Sequence, residues 1–151
     1  MPRKTLEQMK PGLTKVVVRP VEFHRTLTYF DQRLPAVLTT PSMIGQMEVA
    51  SARVLQPYLP KGAISLGTHI NISHRAPARL GEKLRTTASF ARAYKPKNGG
   101  RLRYVFEVEA RVGKRLIGVG TVERAVVNHS QENEHAAARK RRPRPRHRAR
   151  K

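Results

Sequence analysis

The spacing of apolar residues along the chain changes period in a readable order. Leu13 to Phe23 is rich in valine and broken by Pro20, which predicts a first strand with an irregular end at a sheet edge. Arg25 to Thr39 has no clean period but holds Tyr29, Phe30, Leu34, Pro35, Val37 and Leu38, an apolar loop or short helix that must lie over something. Thr40 and Pro41 then read as a helix N-cap and a first helical residue. Met43, Ile44, Met47, Ala50, Ser51, Val54 and Leu55 follow at helical spacing as far as Pro57.

From Ile64 the period becomes two. Ile64, Leu66, Thr68, Ile70, Ile72 and His74 fall on one face, which should meet the core, and Ser65, Gly67, His69, Asn71 and Ser73 on the other. Glu82 to Tyr94 and Arg101 to Val112 alternate again, with turn residues from Pro96 to Gly100 between them, and Gly113–Lys114 permits a tight turn into Arg115 to Val127. Strand, helix and four further strands, joined mostly by short antiparallel connections, predict an α+β domain with one helix against an antiparallel sheet.

Four residues in this pattern suit chemistry. Glu48 falls on a largely apolar side of the helix, either as a carboxylate at the edge of the stripe that pairs with an arginine, or as a partly desolvated group with a raised pKa, fit to act as base or nucleophile. His74 lies on the core-side face at the end of its strand, just before the Arg75–Pro77 break, where sites tend to open, whereas His69 reads as exposed or interfacial. Thr40 caps the helix and lies two turns before Glu48, so the two can border one pocket. Gly67 permits close approach of a ligand or another backbone and leaves an N–H as donor.

Exclusions narrow the field. Without cysteine there is no disulfide, no thiolate nucleophile and no Cys-ligated zinc. HExxH, GxSxG, P-loop and GxGxxG patterns are missing, so metalloprotease, serine hydrolase, NTPase and dinucleotide-binding readings lack their mechanical parts, and no metal or cofactor is expected. Met1 to Lys10 has no apolar run behind it, and no stretch approaches the roughly 18 apolar residues of a membrane span, so the expectation is a soluble cytoplasmic protein.

Residues 34–74, LPAVLTTPSMIGQMEVASARVLQPYLPKGAISLGTHINISH, resemble the hot-dog-fold acyl-CoA thioesterases related to fluoroacetyl-CoA thioesterase, and GVGTVERAVV at 118–127 continues the similarity. The resemblance implies a hot-dog fold over 11–128, an antiparallel sheet wrapped around one long central helix, in a homodimer with acyl-CoA sites at the interface. Carried over residue by residue, it makes Thr40, Glu48 and His74 catalytic and Gly67 the backbone oxyanion donor. Where the family's fluoroacetyl-specific member has lid phenylalanines, this chain has Leu34 before Pro35, with Tyr29 and Phe30 as replacement lid residues. The acyl group expected is therefore a short or medium chain rather than fluoroacetyl. A hot-dog protein that binds acyl-CoA without cleaving it is the alternative.

Charge divides the chain once more. Of 31 Lys and Arg residues, nine lie in 139–151, which holds none of the 10 acids and reads with 129–138 as a disordered Arg/Pro-rich tail; residues 1–10 form a short lead-in. The tail suits weak, salt-dependent binding to nucleic acid, without aromatic residues for stacking. Within the domain, Arg75, Arg79 and Lys83 follow His74 and are candidates for the phosphates of CoA.

Overall fold

The computed structural model describes residues 2–141. Five strands, β1 (Thr14–Pro20), β2 (Ala63–His74), β3 (Lys83–Tyr94), β4 (Arg103–Val112) and β5 (Arg115–Asn128), form one antiparallel sheet in the order β1-β3-β4-β5-β2. A four-residue helix α1 (Leu27–Phe30) precedes the long helix α2 (Thr40–Leu55), which lies across one face of the sheet and runs on into a 3₁₀ turn at Gln56–Tyr58. The α+β reading holds, and the β3–β4 and β4–β5 hairpins turn where the sequence predicts, the second through Gly113 at φ 56°.

The core forms where two periodicities meet. Met43, Met47, Ala50, Val54 and Leu55 on α2 face Leu84, Ala88, Phe90, Phe106, Val108 and Val122 on the sheet, all buried. Each large side chain fully buried there contributes about 1.5–3 kcal/mol. Gly118 allows the close approach, since a Cβ at that position would sit 2.5 Å from Met43 Sδ.

A buried polar clasp fixes the first half of α2. The Gln46 amide donates to the carbonyls of Val17 (3.1 Å) and Leu84 (2.9 Å), and its oxygen accepts from Arg25 at 2.8 Å. Arg25 also donates to Pro20 O, and its own carbonyl accepts from Thr39 N–H. Burial pushes the Arg25 pKa down, and Arg19 adds to the effect. The N-terminus of α2 is thereby tied to β1 and to the segment before α1.

Three sequence expectations are corrected. The N-cap is Thr39, whose hydroxyl accepts from Ser42 N–H, and Thr40 is already the first helical residue. The β2 face expected to meet the core does so only in part: Ile72 packs against the core, but β2 is an edge strand paired with β5 alone, and Leu66 and Ile70 are 44 % and 37 % exposed. Residues 129–141 of the expected disordered tail form a helix, α3 (His129–Arg141), started by Asn128 Oδ1 accepting from Ser130 N–H and carrying Ala136 to Ala138. The rest of that tail, 142–151, lies outside the described residues. No helix among the described residues is long and apolar enough to cross a membrane.

Candidate active site

A register shift in β2 decides which residues share a face. Gly67 pairs with Arg124 and His69 with Glu123, so Thr68 is left without a partner and the alternation inverts there. Above the bulge Ser65 and Gly67 face α2, and below it Ile70, Ile72 and His74 do, while His69 turns to the outer face. Strict alternation would have placed Gly67 and His74 on opposite faces. The bulge puts both under the helix.

Two pairs of candidate residues result. At the start of α2, Thr40 Oγ1 and His74 Nδ1 lie 2.8 Å apart, one hydrogen bond between helix and strand. They border an open groove of about 350 Å³ lined by Leu27, Val37, Leu38, Arg75, Ala76 and Pro77. Two turns along the helix, Glu48 lies directly over Gly67, so close that a Cβ on the glycine would collide with Glu48 Oε1. The eight residues from Thr40 to Glu48 correspond to about 12 Å of helix rise. The two pairs are thus set apart along α2 rather than gathered in a single pocket.

The Glu48 half contains a residue that the sequence reading passed over. Arg124 on β5 is 7 % exposed, and its Nη1 lies 3.8 Å from Glu48 Oε1. Its Nε donates to Ser65 Oγ and its Nη2 to Ser65 O, both at 2.9 Å. Burial pushes the Arg124 pKa down, and the charge of Glu48 pushes it back up. The signal was available: Gly118, Gly120, Val122 and Val126 share Arg124's parity on β5, and a cation among core-facing positions needs a partner.

The remaining candidates separate. Arg75 lines the groove beside His74, while Arg79 and Lys83 are exposed further on. Tyr29, Phe30 and Leu34 are exposed and do not line that groove; Tyr29 instead meets Phe23 and Phe30 edge to face, with centroids 5.9 and 5.2 Å apart. Among the described residues no cluster of His, Asp and Glu is arranged to hold a metal. What the arrangement offers is a hydroxyl–imidazole pair able to carry a proton, and a carboxylate balanced by a buried cation over bare backbone.

Known proteins resemble this chain in sequence and in fold. The family model for fluoroacetyl-CoA-specific thioesterase matches residues 21–130. The fluoroacetyl-CoA thioesterase of Streptantibioticus cattleyicolor is 38 % identical over 99 residues, 66 % of this chain and 67 % of that protein. A solved structure of the fluoroacetyl-CoA thioesterase FlK superposes with a TM-score of 0.75 at 33 % identity, covering 89 % of this chain and 98 % of that one. A thioesterase-superfamily protein of Thermus thermophilus shares the fold at a TM-score of 0.78 and 23 % identity, covering 89 % of this chain and 96 % of its own.

Proposed function

The chain belongs to the fluoroacetyl-CoA-specific thioesterase family and is a thioester hydrolase with a hot-dog fold, and from that premise we propose that it hydrolyses short- or medium-chain acyl-CoA to the free acid and CoA. In one route water adds to the thioester carbonyl while Glu48 takes its proton; in the other Glu48 itself adds, the thiolate leaves, and water then cleaves the resulting acyl anhydride with His74 taking its proton. In either route the oxyanion forms against Gly67 N–H and collapses with loss of the C–S bond, His74 donates a proton to the departing thiolate, and the proton taken from water replaces it. Thr40 orients the imidazole through the 2.8 Å hydrogen bond. Arg75, at the groove beside His74, is the first contact for the phosphates of CoA, with Arg79 and Lys83 beyond it. Leu34 in place of a lid aromatic favours a general acyl group over fluoroacetyl.

The observation that carries the mechanism is the separation of the two pairs along α2. Reacting groups must come within about 3–3.5 Å of the atoms they act on, and one carbonyl is poorly placed to reach both of two groups anchored about 12 Å apart along a helix. The free edge of β2, twelve residues long with Leu66 and Ile70 exposed, suits antiparallel pairing with a second copy. Reversing the strand brings Thr40 and His74 of one protomer toward the partner's Glu48 and the partner's Gly67. The working unit is then a homodimer with two composite sites, built from domain 11–128 and carrying 129–151 as a basic appendage for loose contact with polyanions such as nucleic acid.

The test is CoA release from a panel of acyl-CoAs by wild type, Glu48→Gln and His74→Ala. A rate in the wild type that falls about 10²–10⁴-fold in each variant is expected. Equal background rates in all three would leave acyl-CoA binding without hydrolysis.

A further inference from the structure

We infer that Ser65 is a positioning residue for the hydrolysis: it holds the Arg124 guanidinium so that its charge faces Glu48 while the carboxylate keeps its lone pairs for the reaction. The inference rests on the thioesterase reading of the site.

An arginine has five N–H donors in a rigid plane, so two well-placed acceptors fix its orientation. Ser65 supplies both, the hydroxyl to Nε and the carbonyl to Nη2, each at 2.9 Å. The remaining terminal nitrogen, Nη1, points to Glu48 Oε1 but stops at 3.8 Å, beyond hydrogen-bond range. At that distance the attraction is electrostatic, and burial of Arg124 leaves it less screened than a pair exposed on both sides, although Glu48 stays partly exposed. A guanidinium free to swing would close onto the carboxylate in a bidentate pair and occupy the oxygens that must reach water or substrate. Ser65 prevents this by engaging the opposite edge of the same plane. Register allows it: Arg124 pairs with Gly67, and Ser65 lies two residues along on the same face, so the arginine lies diagonally across the strand pair under α2.

Ser65→Ala, which keeps the carbonyl and removes the hydroxyl, is expected to lower kcat about tenfold with KM nearly unchanged, and Ser65→Thr to restore most of the loss. Arg124→Ala is expected to lower kcat further, and guanidinium chloride well below denaturing concentration to recover part of it, with no such recovery for Glu48→Gln. A wild-type kcat in Ser65→Ala, or a folded Arg124→Ala that guanidinium does not help, overturns the inference. An activity-independent reading comes from ¹⁵N NMR of arginine side chains. The Arg124 Nε–H should exchange slowly in the wild type and quickly in Ser65→Ala, and an unchanged resonance overturns the clamp even if the wild type releases no CoA. That last result, by itself, counts against the thioesterase reading and not against the clamp.

Discussion

The two ends of the α2–β2 contact are built on opposite principles. At Thr40 and His74 a hydroxyl and an imidazole meet by one hydrogen bond beside an open groove. At Glu48 a charged group lies half-exposed over a glycine, and its counter-charge is buried in the sheet beneath. In the proposed reaction the first end would move protons, which loses little by being wet. The second would set the field around a developing oxyanion, which works best where water is scarce and dipoles are fixed. The carboxylate is half-exposed in one chain, and in the proposed dimer a second copy paired at the free β2 edge would supply the missing wall.

Mixing variants breaks or confirms this division with the largest effect. Glu48→Gln and His74→Ala homodimers should each be nearly inactive. If the sites are composite, random subunit exchange makes half the dimers mixed, and each mixed dimer has one site with both lesions and one with none. Activity should return to about a quarter of the wild-type value. Sites contained within single chains would give no recovery, because every chain then carries a lesion.

Gly67→Ala sharpens the Glu48 end alone. Its φ is not in the left-handed region, so the backbone accepts alanine, and the atom struck by the new Cβ is the far end of a flexible side chain. Stability should therefore change little while the carboxylate is displaced. A drop in kcat of about 10²-fold with the melting temperature nearly constant is expected, read by steady-state kinetics and thermal unfolding. Equal loss of both would mean that the glycine serves packing.

Much of this was legible in residue order. Alternation through Leu102, Tyr104, Phe106, Val108 and Ala110 located β4, and helical spacing from Met43 to Leu55 located α2, because both elements bury one continuous face. β2 was harder. Its alternation predicts burial, but an edge strand in a single chain has nothing to bury against, and the bulge at Thr68 reverses the faces halfway along. Gly67 was itself the hint, since an isolated glycine in a strand often marks such a bulge. Parity counted from Ile64 puts His74 on the core side and Gly67 on the other; the structure puts both under α2, because the bulge between them inverts the alternation. Arg124 escaped because its role depends on a partner 59 residues away in sequence.

The smallest effect separates two adjacent threonines at the other end. Thr39 is the N-cap, with its hydroxyl engaged by Ser42 N–H at 3.2 Å, and Thr40 is the one whose hydroxyl meets His74. Thr39→Ala should cost about 1 kcal/mol of stability and leave kcat nearly unchanged. Thr40→Val, which keeps the shape and removes the hydroxyl, should leave the unfolding midpoint close to wild type and lower kcat about tenfold, with Thr40→Ser recovering it. Chemical denaturation and CoA release on the same preparations read both quantities. If the two losses were exchanged, with Thr39→Ala affecting catalysis and Thr40→Val stability, the hydroxyl at the head of α2 would be structural, and His74 would take its orientation from elsewhere.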